Sequence, residues 1–387
     1  MEKRIYLDHN STTPTDPRVI EAMIPYYREF WGNASSLHQF GREAKAALEE
    51  TREIIAGVFQ CLPSEIFFTS GGTESDNLAI KGTTYQFRDK GRHIISTQIE
   101  HPAVLESFAF LEEEGFEATY LPVDKYGFVN PDDLRKAIRS DTILVSAMYA
   151  NNEVGTIQRM DELAALCQEH GIIFHTDAVQ AAGKIPIDLS STPISLMSTS
   201  GHKIYGPKGV GVIFIRQGTP IHSWQNGGHH ERGRRAGTEN IPAIVGYGKA
   251  MEIAHNEMEQ NDRKISAMAE QFRIKVMEQI PDVSFNGPET ERIKGTVNLC
   301  FKGAEGEAII LNLDMMGIGV TSGSACSSGA LEPSHVLLAM GVPPEIAQSA
   351  IRFSFGKDNE PGDIDYIVSA LSQSINKLRM MSPFYSS

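Results

Sequence analysis

Short apolar runs alternate with helical stretches from about residue 42 to residue 250. Ala44, Ala47, Leu48, Thr51, Ile55 and Val58 recur at helical spacing, and Met160, Leu163, Ala164 and Cys167 repeat the pattern further on. Between such stretches lie runs of β-branched and aromatic residues at 66–69, 93–96, 143–148, 172–175 and 210–215. Continuous apolar strands separated by helices predict a mostly parallel sheet covered by helices on both faces. Several of the runs end in small polar residues, where open α/β sheets place a ligand crevice. The spacing of Ile265, Met268, Ala269, Phe272 and Val276 predicts one long helix over about 247–280. Beyond Pro281 the pattern changes. Residues 295–303 alternate Val297, Leu299 and Phe301 with polar neighbours, the signature of a half-buried strand, and a Gly/Ser tract follows at 321–330. This shift places a domain boundary near residue 255.

A chain of 387 residues suits two domains, or one large domain with a smaller companion. Hydrophobic residues at 41% and charged residues at 22% are ordinary globular usage, which excludes disordered and fibrous classes. The 35 Lys and Arg against 49 Asp and Glu give a formal charge of −14, and no concentrated basic run opposes it, so nucleic acid is not an expected partner. The start of the chain has no apolar core of signal-peptide length, and no segment approaches ~18 uninterrupted apolar residues. Neither secretion nor a membrane is expected. The four cysteines, Cys61, Cys167, Cys300 and Cys326, are too few and too scattered for a disulfide framework or a zinc site. A reducing cytoplasm is the expected home.

Five stretches carry candidate chemistry. Ser70-Gly71-Gly72-Thr73 follows the predicted strand 66–69 and opens a helix, an arrangement that lets backbone N–H groups approach a phosphate. Thr73 and Asp76 also have the spacing of a capping box. No Gly-x-x-x-x-Gly-Lys-Ser/Thr exists, so a nucleotide P-loop is excluded. Asp177 closes the strand at 172–175 and is poised either to hold a cationic ring nitrogen or to cap a following helix. Lys203, behind Ser198-Thr199-Ser200-Gly201-His202 and before Tyr205-Gly206-Pro207, is placed for a Schiff base, which requires partial neutrality. The run 227–238 is dense in Gly, His and Arg. Metal binding by His229, His230 and Glu231 is less expected there than a flexible arm bringing cations and Thr238 to a phosphate. Cys326 stands among Gly, Ser and Ala with no apolar neighbour to bury it, unlike Cys167 on an apolar helix face, and reads as a functional thiol.

Taken in order, these residues resemble the NifS/IscS-type cysteine desulfurases of the class V pyridoxal-phosphate-dependent aminotransferase superfamily. The resemblance runs through 5–8, 32–33, 35–38, 69–77, 100–104, 151–153, 176–180, 200–209, 227–240, 322–326, 331–335 and 351–354, nearly the whole chain. It implies the aspartate-aminotransferase-like fold (fold type I): an α/β large domain with a mainly parallel seven-stranded sheet, residues 14–255, and a smaller α+β domain, residues 256–387 with 1–13, carrying a mobile cysteine loop at 321–330. It implies pyridoxal 5'-phosphate bound covalently by Lys203, which also moves the Cα proton. Asp177 would pair with the ring nitrogen and Gln180 with the ring hydroxyl, while His101 would stack on the ring and act as a catalytic group in proton transfer, with Asn152 bordering the ring. Gly72, Thr73, Ser200 and His202 would hold the phosphate, joined by Thr238 from the partner subunit of a homodimer. Arg352 would clamp the carboxylate of L-cysteine, with Asn152 beside it, and Cys326 would take the sulfur as a persulfide. The sulfur would pass to an iron–sulfur scaffold or another acceptor protein, and Cys326 would serve at most as a transient cluster ligand; no resident metal is implied.

Two positions depart from the family pattern: Ala34 stands where proline is usual and Ser11 where alanine is usual. The chain ends at Ser387 without the longer tail by which housekeeping members dock their scaffold. A selenocysteine lyase and a class V aminotransferase share the fold, although an aminotransferase has no use for Cys326. A non-catalytic sulfur carrier would have no use for Lys203 and Asp177.

Overall fold

The structure, a computed structural model, describes residues 4–223, 225–323, 332–381 and 385. Its strands are β1 (Ile5–Tyr6), β2 (Ile66–Thr69), β3 (His93–Thr97), β4 (Glu117–Leu121), β5 (Thr142–Ser146), β6 (Ile173–Asp177), β7 (Leu196–Ser200), β8 (Gly211–Ile215), β9 (Val283–Asn286), β10 (Thr296–Phe301), β11 (Ile318–Gly319) and β12 (Ala350–Ser354). The helices are α1 (Pro17–Arg28), α2 (Gln39–Phe59), α3 (Gly72–Phe87), α4 (Pro102–Glu113), α5 (Pro131–Ala137), α6 (Met160–Glu169), α7 (Ile241–Gln279), α8 (Gly306–Met315), α9 (His335–Ala339), α10 (Pro344–Ala347) and α11 (Ile364–Met381). None of the helices described is long and apolar enough to cross a membrane.

Seven strands form one sheet in the order β2-β8-β7-β6-β5-β3-β4. Only β8 runs against the others, pairing antiparallel with both β2 and β7. The five apolar runs read from the sequence are five of the sheet's seven strands, β4 and β7 not being among them, and the mainly parallel arrangement is as expected. The run 172–175 extends two residues, so that Asp177 is itself the last strand residue. A smaller antiparallel sheet, β12-β10-β9, and the parallel pair β1-β11 lie in the remainder of the chain.

The alternation in 295–303 suggested a half-buried strand, yet every residue of β10 is buried. Val297, Leu299 and Phe301 enter the apolar core of the smaller region, while Cys300 packs in a separate cluster with Met148 and Val154 from the large sheet's loops. On that second face Asn298 Nδ2 donates to the carbonyl of Glu153 at 3.3 Å. The polar neighbours are buried because this face also packs against protein, through an apolar cluster at Cys300 and a hydrogen bond at Asn298.

Helix α7 begins at Ile241, earlier than the apolar periodicity indicated, because Asn240 caps it and Pro242 is tolerated in the first turn. It continues without interruption past residue 255. Its buried residues fall into two groups, Ile241 to Ile253 against the larger core and Met268 to Val276 against the smaller one.

The Gly/His/Arg run is held by an internal ion pair. Glu231, in the left-handed region at φ 45°, is 5% exposed. Its carboxylate accepts from Arg52 Nη1 and Nη2 at 3.0 and 2.9 Å and from the Phe68 N–H of β2 at 2.8 Å. Glu231 is thus committed to structure, and among the described residues no trio of His, Cys, Asp or Glu is grouped to hold a metal. Both partners being buried, loss of one strands the other's charge. Arg52→Met is expected to lower stability by about 3–5 kcal/mol, seen as a lower thermal midpoint; replacing both partners with apolar residues should recover most of it.

Candidate active site

The carboxyl ends of β6 and β7, the start of α3 and the segment before α1 converge on one place. Gly71 adopts φ +154°, and a Cβ on Gly72 would lie 2.7 Å from Val179 Cγ2. Only glycine lets α3 start this close to the turn after β6. Ser200 lies against the same glycines, with its Oγ 3.9 Å from the Cβ position of Gly71 and its Cβ 3.8 Å from that of Gly72. Thr73 does not cap α3: the cap is Gly71, which offers no side chain to the first-turn N–H groups, and Asp76 is buried beneath the helix. The capping-box reading therefore fails, and the first turn keeps donors facing the Ser200 side. Arg235 Nε donates to Glu74 Oε1 at 2.7 Å, which ties the run 234–240 to that first turn. Thr238 is exposed and forms no hydrogen bond to the other candidates in its own chain.

Asp177 does not cap a helix either. Its Oδ1 accepts the Val179 N–H at 2.9 Å, and a series of turns follows. Burial raises its pKa, and neighbouring His101, the Val179 N–H and Lys203 pull it back. His101 caps α4, its Nδ1 accepting from the Ala103 N–H at 3.1 Å, so the neutral ring carries its proton on Nε2. The residue keeps an exposed edge, yet crowding of its ring lowers its pKa; Asp177 opposes the shift, and Lys203 and His335 add to it.

Lys203 Nζ donates to the carbonyls of Asn10 and Ser11 at 2.6 and 2.8 Å. Burial, then Arg352, lower its pKa to about 8 against the pull of Asp177 and Asp8, which gives the partial neutrality that imine chemistry needs. His202 is fixed by Thr12 Oγ1 at 3.1 Å from its Nδ1, and its carbonyl accepts from Thr13. Gln180 is buried, with Nε2 donating to the Asn10 carbonyl at 2.9 Å.

Arg352 lies on β12 of the smaller sheet and is 3% exposed. Nη1 donates to the carbonyl of Asn152 at 3.0 Å, and Nη2 to Asp8 Oδ1 at 2.8 Å and Ser11 Oγ at 2.7 Å. Among the described residues its Nε is buried without an acceptor, a donor left for an incoming anion. Ser11, one of the departures from the family pattern, thus adds a hydrogen bond to this guanidinium. Cys326 lies outside the described residues. The residues flanking it on one side reach this site: Thr321 pairs with Arg352, and Gly323 lies over the buried Glu153. On the other side Ser334 Oγ donates to Glu153 Oε2 and His335 Nε2 lies 2.9 Å from the Glu100 carbonyl.

The structure therefore brings Gly72, Ser200, His202, Lys203, Asp177, Gln180, His101, Asn152 and Arg352 around one region. Sequence reasoning missed Asp8, Asn10, Lys184, Glu100 and Glu153. Asp8 and Asn10 are distant in sequence from their partners, and only the run of polar residues after Leu7 could have drawn attention to them.

A family model, aminotransferase class V, matches residues 5–367. The chain is 50% identical over 384 residues to cysteine desulfurase IscS of Dictyoglomus turgidum, covering 99% of this chain and 98% of that protein. It is 45% identical to the cysteine desulfurase of Homo sapiens, covering 98% of this chain and 84% of that one. The protein belongs to the class V aminotransferases, among the cysteine desulfurases. A solved structure of a NifS-like protein superimposes with a TM-score of 0.92 at 40% identity, covering 97% of this chain and all of that one. A structure described as SspA in complex with cysteine gives 0.82 at 34% identity, with 92% and 99% covered. The fold is accordingly the class V, fold type I architecture expected from sequence.

Glu100 offers a test of this buried setting. It is 0% exposed, and burial raises its pKa from 4.5 to about 8 although Thr97 and the Met148 N–H donate to Oε1. Below 4.5 both folded and unfolded chains hold the proton. As pH rises the unfolded chain releases it first, so this contribution to stability is lost progressively up to about 8. Glu100→Gln keeps the Oε1 acceptor and is neutral throughout. Its thermal midpoint is expected to fall less than that of the unaltered protein between pH ~5 and ~8, measured without added cofactor.

Proposed function

We propose that the protein removes the sulfur atom of L-cysteine, yielding L-alanine and a persulfide on Cys326, with pyridoxal 5'-phosphate as cofactor. The observation that carries this reading is Lys203, an amine of lowered pKa beside Asp177 and His101 and across from the guanidinium of Arg352. The residues present fit the cofactor. The glycine cradle at α3 admits an anion where a Cβ would not, Ser200 lies against it, and Asp177 offers a buried carboxylate to a ring nitrogen. Gly72, Thr73, Ser200 and His202 would hold the phosphate, joined by Thr238 of the second subunit in a homodimer. Asp177 and Gln180 would hold the ring, with His101 against it and Asn152 at its border. When bound, the cofactor supplies an electron sink for the carbon that loses its proton.

Each protein group then has a task. Arg352, oriented by Asp8, Ser11 and the Asn152 carbonyl, binds the substrate carboxylate through its free Nε–H. Lys203 anchors the cofactor and then moves the Cα proton. The Cys326 thiolate forms an S–S bond to the substrate sulfur as the substrate's Cβ–S bond breaks. The electron pair of that bond stays with Cβ, which is protonated to the methyl group of alanine. The persulfide passes to an iron–sulfur scaffold or another thiol-bearing acceptor, and a reducing cytoplasm suits such thiol chemistry. We also propose that residues 14–255 and 256–387 with 1–13 form two working units, the second carrying Arg352 and Cys326 to the first.

Cys326→Ser is expected to abolish sulfide release from cysteine while cofactor absorbance is kept, read by spectrum and by alanine and sulfide assays; retained desulfuration would overturn the role of Cys326. Lys203 carries the pH dependence of cofactor uptake. Its neutral fraction rises about tenfold per pH unit below about 8 and levels off above, so the rate of pyridoxal phosphate capture should follow that curve. Lys203→Ala should leave no covalent adduct.

A further inference from the structure

A second lysine lies beside this site and has no place in the mechanism above. Lys184 lines a cavity of about 110 Å³ together with His9, Asn10, Lys203, Ile265 and Phe355. Its Nζ donates to Gln180 Oε1 at 2.7 Å and to Asn10 Oδ1 at 3.2 Å. No carboxylate among the described residues forms an ion pair with it. The charged groups that bear on it, Lys203, Arg352 and His9, are themselves cationic or basic, and burial with the first two lowers its pKa to about 7. An amine kept in such surroundings without a countercharge is costly, and a methionine would fill the same space at no electrostatic expense.

The hydrogen bonds show what the amine does. A lysine can only donate, so the two groups it touches must present oxygen. That fixes both amides. Gln180 must turn its Nε2 the other way, where it donates to the Asn10 carbonyl at 2.9 Å. Asn10 must likewise turn Nδ2 toward the Asn152 carbonyl and Thr296 Oγ1, at 3.1 and 2.8 Å. The Asn10 carbonyl is the acceptor that Lys203 uses, and the Asn152 carbonyl is the one Arg352 uses. This donor, together with the Asn10 and Asn152 carbonyls at the other ends, sets the orientation of two amides on which the reactive amine and the guanidinium both rest.

We propose that Lys184 is a positioning residue for Lys203 and for the cofactor-facing end of Gln180, acting by locking the Gln180 and Asn10 amides in a single orientation. The cofactor part of this inference rests on the function proposed above; the part concerning Lys203 does not. The test compares full-length Lys184→Met, Lys184→Arg, Gln180→Ala and the Lys184→Met/Gln180→Ala pair. Arginine is also donor-only, and the neighbouring cavity has room for it. Two readouts are taken besides the thermal midpoint: equilibrium affinity of the cofactor-free protein for pyridoxal phosphate, and the rate at which Lys203 is acylated near pH ~9.5, where both amines are largely neutral.

Lys184→Met is expected to keep or raise the midpoint, to weaken pyridoxal phosphate about tenfold, and to speed Lys203 acylation several-fold. Lys184→Arg should stay within about threefold of the unaltered protein, and the pair should bind no more weakly than Gln180→Ala alone. The inference is overturned if Lys184→Met matches the unaltered protein in both readouts, if Lys184→Arg is as impaired as Lys184→Met, or if the losses in the pair add. Failure of the unaltered protein to bind pyridoxal phosphate would count against the proposed function, and the acylation rates would still decide the role of Lys184.

Discussion

The segment from Leu7 to Thr13 stitches the molecule together. Its first residues hydrogen-bond to β11 and β12, through Leu7 N–H to Gly319 and Ser354 N–H to Leu7. Asn10 reaches Ser354 and Thr296 of the smaller sheet at 3.0 and 2.8 Å, and Thr13 closes on the His202 carbonyl within the turn that bears Lys203. A few residues without regular structure thus connect the sheet that carries Arg352 to the turn that carries Lys203. The carbonyls of Asn10 and Ser11 are available to the reactive amine because this segment belongs to neither sheet.

Around that strap the protein concentrates ionisable groups in a nearly dry setting. Asp76, Glu100, Glu153 and Asp177 are all buried and all have raised pKa values, burial being the leading cause in each. Asp76 and Glu100 each raise the proton affinity of a neighbour or have it raised by Asp177, so the cluster resists carrying several negative charges at once. A positively charged ring nitrogen beside Asp177 would relieve that repulsion, which gives a physical reason for this carboxylate to sit so deep. On the cationic side, Lys203 draws down the proton affinity of Asp177 and Arg352 that of Glu153, while Lys184 is held by the neutral amides of Gln180 and Asn10.

Much of this was legible from local pattern. The strand ending at Asp177, the glycine turn at Gly71-Gly72 and the lysine behind Gly201-His202 could be read because each belongs to one strand and the turn that follows it. What local pattern could not show was the pairing of Arg352 with Asp8, or of Lys184 with Asn10, since those contacts join parts of the chain that meet only in the folded core. The supposed capping box failed because α3 starts at Gly72 with Gly71 as its cap, which places Thr73 and Asp76 inside the helix. The polar positions of β10 misled because alternation reports side-chain polarity, not whether the face meets water or another part of the protein.

Helix α7, at 39 residues, is a rod about 58 Å long that touches both cores. None of its residues between Ile253 and Met268 is fully buried; this middle is held instead by surface contacts, Arg18 to Glu257 and Lys264 to the Lys357 carbonyl and Glu360. Leverage follows from the length. A bend of about 5° there, within the gentle curvature long helices adopt, carries the far end through about 2–3 Å. Such a flexure would change the spacing between the guanidinium on the smaller sheet and the amine on the larger one without breaking any strand pairing, so the span between two anchored ends can act as a spring.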